Sequence, residues 1–250
     1  MAENSPVVLI AGITGGIGSA LARKLAASGW RVAGFAREAA RLDALAGELP
    51  GLFTQVADAT DAAQVEAAVA AVGGHFGQLD AYVHAVGSIV VKNATQTSLE
   101  EWRRTLDVNL NSAFYGLKYA VTPIQRQGGS LVFISSVAAQ TGLASHEAIA
   151  AAKGGINGLV RAAAASYASR NVRVNAVAPG LVDTPLAGPL LGSEAARAFS
   201  EKLHPLGRVG RPDNIAGLIA WLLSEEGAWV TGEIWSVDGG MAHVKPRPKV

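Results

Sequence analysis

Cysteine is absent from these 250 residues, which removes disulfide cross-links and thiolate chemistry and fits a reducing compartment. Neither sign of charge is in excess: 21 Lys+Arg stand against 20 Asp+Glu. There is thus no broad basic field to attract nucleic acid or an anionic membrane. No uninterrupted apolar run approaches the roughly 18 residues of a membrane span. The opening stretch MAENSPVVLI carries Glu3 but no Lys or Arg ahead of a very short apolar run, so it lacks the n-region and h-region of a signal peptide. These absences predict a cytoplasmic chain that meets a small-molecule substrate, with neither nucleic acid nor membrane as partner. What is plentiful is apolar: 50% of the residues are hydrophobic, enough for a large core, while size alone leaves one large domain or two small ones open.

Read in order, the chain alternates strand and helix patterns. Val7 to Ala11 is a short apolar run of the kind buried on both faces of a parallel sheet. It enters Gly12-Ile13-Thr14-Gly15-Gly16-Ile17-Gly18 and then a helix closed by Gly29. Strand, glycine-rich turn and helix together make a phosphate cradle, because glycines let the backbone approach an anion and the helix N-terminus offers unpaired N–H groups. The spacing is GxxxGxG (Gly12, Gly16, Gly18) and not GxGxxG; a mere tight turn is the alternative. The next strand, Arg31 to Ala36, leads into Arg37, 19 residues beyond Gly18. An acid near that place would bind a ribose 2′-hydroxyl, whereas arginine accommodates a 2′-phosphate. No acid stands at Gly34, Phe35 or Ala36, so NADP(H) is favoured over NAD(H), with a solvated helix-opening charge as the other reading of Arg37.

Further strands are expected over Leu52 to Ala57, Ala81 to Val86, Ser130 to Ile134, Arg173 to Val177 and Glu233 to Val237. Helices are expected over Ala62 to Val72, from a Ser98/Glu101 capping box to about Thr122 before Pro123, over Glu147 to Ser169, and from Pro212 to Ser224. Asp58 either faces an adenine edge or simply ends a strand. Asn109 and Asn111 are poor helix-interior residues, which points to a kink or a site there. Leu181 to Arg211 has three prolines and several glycines without clear periodicity, and reads as a substrate lid or a plain irregular connection. The tail from His243 to Val250, with Lys245, Arg247 and Lys249 between prolines, reads as a solvated basic segment. No linker, repeat or low-complexity segment interrupts the alternation. A single doubly wound α/β domain over 1–250, with a mostly seven-stranded parallel sheet and helices on both faces, follows.

The chemistry concentrates in Ile134 to Gly155. Ser136 stands at the carboxyl end of a strand, where ligands bind in open α/β sheets, and Lys153 follows 17 residues later in an alanine-rich helix. Residues at i and i+4 share a helix face, so position 149 projects beside the lysine; it is isoleucine, which cannot be tuned by that cation. His146 is three residues earlier, either a substitute acid in the same cleft or a structural or solvated histidine. His146-Glu147 continues as HExxA, without the second histidine of a zinc site, and no metal is expected. Ser136 lies outside any GxSxG elbow, so a hydrolase gains no support.

Taken together, Gly12-x-x-x-Gly16-x-Gly18, Asp58, Val108-Asn109-Leu110, Ile134-Ser135-Ser136, Lys153-Gly154-Gly155, Asn175 to Gly180 through Thr184, and Gly232 to Gly240 resemble the short-chain dehydrogenase/reductase family over essentially the whole chain. The resemblance implies that Gly12, Thr14, Gly16, Ile17 and Gly18 hold the cofactor phosphates, Arg37 the 2′-phosphate, and Asp58 with Ala59 the adenine. It further implies that Gly87, Pro179, Gly180, Val182 and Thr184 lie along the cofactor. Asn109 would position a water relay, Ser136 would bond the substrate oxygen and Lys153 the nicotinamide ribose. The family's proton-exchanging tyrosine belongs four residues before the lysine, at Ile149. Ala11 and His84-Ala85-Val86-Gly87 also depart from the family pattern, the latter removing side-chain amides that brace the central strand. A homotetramer or homodimer through the helices around 100–125 and 148–169 is a family expectation.

A general acid or base typically contributes about 10²- to 10⁴-fold, while orientation of reactants is worth more. Two functions therefore stand: an atypical NADP(H)-dependent oxidoreductase acting on a carbonyl, alcohol or activated double bond with impaired or altered proton transfer, or a catalytically silent NADP-binding partner or sensor.

Overall fold

The computed structural model describes residues 5–246. The signal-peptide argument at Met1–Asn4 and the tail residues Arg247 and Lys249 lie outside the described residues. Seven parallel strands, β1 (Val7–Ala11), β2 (Arg31–Ala36), β3 (Phe53–Val56), β4 (Ala81–His84), β5 (Gly129–Ile134), β6 (Val172–Pro179) and β7 (Ile234–Val237), form one sheet ordered β3-β2-β1-β4-β5-β6-β7. The order reverses between β1 and β4, which opens a crevice at their carboxyl ends.

Strand side chains alternate between faces, and the sheet sorts them into two cores. Val7, Leu9 and Ala11 join the core built by α3 (Ala62–Phe76), α5 (Ser112–Ile124) and α6 (Glu147–Tyr167). Val8 and Ile10 join the opposite core under α1 (Gly16–Ala27), α2 (Ala39–Glu48) and α9 (Pro212–Leu223). Burial on both faces explains why β1 reads as an unbroken apolar run. Among the described residues, no helix is long and apolar enough to cross a membrane.

Several expectations shift in detail. β4 ends at His84 rather than Val86, because the chain leaves the sheet to line the crevice. β6 continues through Pro179, which pairs with Val237 at the end of the strand, where the missing N–H costs least. Pro123 lies inside the last turn of α5 instead of after it. The aperiodic stretch 181–211 contains two short helices, α7 (Gly188–Leu191) and α8 (Glu194–Lys202).

The Ser98/Glu101 capping box forms in full at the start of α4 (Leu99–Leu106). The helical run from there to α5 is interrupted by a π-helical turn at Asp107–Asn111, in which Ser112 N–H donates to the carbonyl of Asp107 five residues back. The turn fits the poor helix propensity of Asn109 and Asn111. α6 packs close to it: a Cβ on Gly155 would lie 2.8 Å from Leu110 Cδ2, so any larger residue would have to push that side chain aside. That contact sets Lys153, two residues before Gly155, beside the buried turn.

Candidate active site

At the head of the crevice the glycine loop is shaped by contacts that exclude side chains. Gly12 has φ +75°, and a Cβ on Gly18 would fall 2.3 Å from the Gly12 carbonyl oxygen. A Cβ on Gly16 would fall 2.6 Å from Thr184 Cγ2, so the 181–211 segment begins in contact with the loop. α1 opens at Gly15 with no side-chain cap, leaving its first N–H groups and positive dipole end free for an anion.

From this loop a cleft runs outward between the ends of β2 and β3. Gly12, Thr14, Gly16, Ile17, Arg37, Asp58, Ala59 and Gly87 all line it. Gly18 does not; it sits behind the loop and sets its curvature. Asp58 Oδ1 accepts from Thr60 N–H and Oγ1 at 2.9 and 2.8 Å, which orients the carboxylate at the cleft wall. Sequence reasoning missed Arg41. It lines the same cleft, donates to Thr14 O at 2.5 Å, and pairs with Glu38 at 3.5 Å. Its signal was a second arginine four residues beyond Arg37, in the first turn of α2.

The inner end of the crevice is a small pocket that shares Ile17, Gly87 and Thr184 with the outer cleft. Asn109, Ser136, Ile149, Lys153, Pro179, Gly180 and Val182 meet there. Asn109 is fully buried; its amide donates to Ser88 Oγ at 2.8 Å and Thr105 O at 3.0 Å, and its Oδ1 accepts Ser88 N–H at 3.0 Å. Lys153 Nζ donates to Ile134 O at 2.8 Å, and burial lowers its pKa from 10.5 to about 8. Ser136 caps a short 3₁₀ turn, its Oγ accepting from Ala138 N–H at 3.1 Å. Its neighbour Ser135 turns the other way and donates to Asn157 Oδ1 at 2.6 Å, tying β5 to α6.

Ile149 presents an aliphatic wall and is 4% exposed. His146 does not reach this pocket. It occupies the N-cap position of α6, with Nδ1 2.7 Å from Ala144 O. A carbonyl partner requires Nδ1 to carry the proton, so a neutral His146 has only an acceptor at Nε2. No group of three or more His, Asp or Glu side chains suited to a metal ion occurs among the described residues.

The sequence-level loss of bracing amides at 84–87 is met by an unforeseen set. His84 is buried between Tyr82 Oη, 2.9 Å from Nδ1, and Ser112 Oγ, 3.0 Å from Nε2. Nothing in the sequence places Tyr82, His84 and Ser112 together except that β4 and the π turn converge on one site.

The architecture matches known proteins over nearly its whole length. Residues 12–242 match a family model described as enoyl-(acyl carrier protein) reductase. The chain is 37% identical over 245 residues to a cyclohexanol dehydrogenase of an Acinetobacter species, covering 94% of each. It is 34% identical to a 3-oxoacyl-(acyl-carrier-protein) reductase of Thermotoga maritima, covering 94% of this chain and 97% of that one. Among solved structures, an actinorhodin polyketide ketoreductase with NADPH superposes with a TM-score of 0.93 at 28% identity, covering 97% of this chain and 99% of the other. A short-chain dehydrogenase/reductase of Brucella melitensis superposes with a TM-score of 0.90 at 33% identity, covering 96% and 97%. With this fold, this crevice and these relatives, the chain belongs to the short-chain dehydrogenase/reductase family of NAD(P)-using oxidoreductases.

Proposed function

We propose that the protein is an NADP(H)-dependent oxidoreductase that interconverts a carbonyl and an alcohol, or reduces an activated double bond, with proton transfer altered at Ile149. The observation that carries this reading is the shared wall of the two cavities: Ile17, Gly87 and Thr184 border both the cleft with its two arginines and the pocket with Ser136 and Lys153. An extended dinucleotide fits such a path, phosphates at the glycine loop and reactive ring at the inner pocket.

The residues present suit that cofactor. The uncapped start of α1 takes the diphosphate, Arg37 and Arg41 flank a 2′-phosphate, and Asp58 with Ala59 borders the adenine. Lys153 Nζ and Asn109 Oδ1 both face Gly87, where a Cβ would lie 3.6 and 3.1 Å from them; glycine there leaves room for a ribose. Bound in this way, the nicotinamide supplies or accepts a hydride. Ser136 holds the substrate oxygen as a hydrogen-bond donor. Pro179, Gly180, Val182 and Thr184 close the inner wall, and Ile149 with Leu181 and Leu186 makes the substrate side apolar, as a small alicyclic or aliphatic ketone or alcohol requires. The cyclohexanol dehydrogenase relative supports that class.

Residues 181–211 act as a lid over this pocket. Leu99, Trp102 and Phe114 are exposed on α4 and α5; a homodimer or homotetramer through these helices and α6 would cover them.

Titration of the purified protein with NADPH and NADH by fluorescence, paired with a panel of ketones, aldehydes and enones, tests the reading. NADPH is expected to bind more tightly and to be consumed in a substrate-dependent manner. Intact binding without turnover on any member of the panel overturns the enzymatic reading, and tighter NADH binding overturns the cofactor preference.

A further inference from the structure

The inner pocket has a singular inventory. Lys153 is the only ionisable side chain among the described residues that line it. An ammonium has three N–H bonds, and among the described residues Ile134 O is the single protein acceptor for Nζ. Two protons are therefore left for groups entering the crevice. Position 149, on the same helix face one turn earlier, contributes only carbon.

The neighbouring titratable groups are all committed elsewhere. His84 approaches Lys153 from β4, but both of its ring nitrogens are bonded, to Tyr82 and to Ser112. Tyr82 is fully buried and spends its hydroxyl on His84. His146 stands outside the pocket at the head of α6. The hydroxyls of Ser136 and Ser88 do not exchange protons at neutral pH unless a base is bonded to them, and no base is.

We infer that Lys153 is itself the proton donor and acceptor of this active site, passing a proton from Nζ to the oxygen of a ketone or aldehyde held at Ser136. This assignment rests on the oxidoreductase reading above. In the reducing direction the carbonyl carbon receives a hydride, with its electron pair, from a reduced nicotinamide dinucleotide. The C=O π pair moves onto oxygen, oxygen takes the Nζ proton, and the resulting neutral amine is reprotonated by solvent through the open cleft. Alcohol oxidation reverses each move, with the amine as base. Burial without a carboxylate partner suits the lysine to this cycle, because it brings the ammonium down to about 8, where both forms are accessible near neutral pH.

Three measurements test the assignment. The first is an NMR titration of the protein, free of cofactor and labelled at lysine Cε, with Lys153 assigned through its backbone. Lys153 is expected to titrate well below the remaining lysines; titration together with them overturns the proposal and needs no variant to fold. The second is the pH dependence of kcat/KM for ketone reduction by NADPH, expected to fall above the Lys153 midpoint. The third is Lys153→Arg, which keeps a cation for the ribose but holds its proton. It is expected to bind NADPH within a few fold of wild type while losing at least 10²-fold in kcat/KM together with the basic limb. Wild-type kcat/KM in Lys153→Arg, or a flat wild-type profile, overturns the lysine assignment and leaves the oxidoreductase reading standing. Absence of carbonyl turnover by the wild type overturns both.

Discussion

His84 donates from Nε2 to Ser112 Oγ at 3.0 Å, and the direction of that bond is fixed by what lies beyond it. The single hydroxyl proton of Ser112 goes to Val108 O at 2.7 Å, so Oγ can only accept from the ring. Nδ1 is then an acceptor, filled by Tyr82 Oη at 2.9 Å. The imidazole is thus neutral in one tautomer, and protonating it would break the bond from Tyr82. Burial first, and the Lys153 charge second, lower its pKa from 6.5 to about 3.

The consequence is an acid sensitivity with a defined window. Below pH 6.5 the unfolded chain takes up a proton that folded His84 refuses until pH falls to about 3. Stability is therefore lost progressively as pH drops from 6.5 to 3. That difference sets an upper limit of about 5 kcal/mol for this loss. Urea unfolding at several pH values checks this: wild type should lose stability more steeply across the window than His84→Asn, and equal slopes would refute it.

The glycine loop predicts opposite outcomes for two alanine substitutions. Gly18→Ala drives a Cβ to 2.3 Å from the Gly12 carbonyl, backbone against backbone. It should cost about 2 kcal/mol or more and abolish cofactor binding. Gly154→Ala, at a helical position with nothing within 4 Å, should stabilise the protein by about 0.5 to 1 kcal/mol. Thermal melts with and without NADPH separate the two.

Arg37 and Arg41 both flank the cleft but do not serve the same end. Arg37→Ala should weaken NADPH binding about tenfold, near 1.4 kcal/mol, and leave NADH unchanged. Arg41 also grips Thr14 O at 2.5 Å, so Arg41→Ala should loosen the glycine loop and weaken both cofactors. Fluorescence titrations with the pair of dinucleotides distinguish these outcomes.

Ile149→Tyr should place a phenol beside the Lys153 ammonium, on the same helix face. An added general acid is worth about 10²- to 10⁴-fold. Because Lys153 already supplies a proton, a gain in ketone reduction at pH 7 smaller than that is expected, whereas no gain would mean that the substrate does not approach position 149.

Fold and site were legible to different depths. The doubly wound sheet followed from Val7–Ala11 and its counterparts, because strands buried on both faces leave unbroken apolar runs between glycine and proline stops. Ser136 and Asn109 drew notice because one follows a strand end and the other is a poor helix-interior residue, and Lys153 because it is a cation in an alanine-rich run. Arg41 and the Tyr82–His84–Ser112 set were not, since their meaning lies in approaches across 27 and 28 residues of sequence. His146 misled because helix periodicity says which face a residue shares and not how its first turn is capped. Its ring closes onto Ala144 O instead.

The π turn at Asp107–Asn111 makes the active site a matter of residue count as well as residue type. An α-helix advances about 100° per residue, and the turn accommodates one residue more than an α-helical turn would. Deleting a single position from it would restore a regular ladder and improve the helix taken alone. The π turn takes up its extra residue by advancing less than about 100° per residue, so the flanking helices would keep their facing while Asn109 and Ser112 changed their angle to each other. Asn109 would leave the crevice, or Ser112 would leave His84. The local irregularity therefore acts as a spacer: helix regularity is given up so that two side chains three residues apart can face two different partners at once.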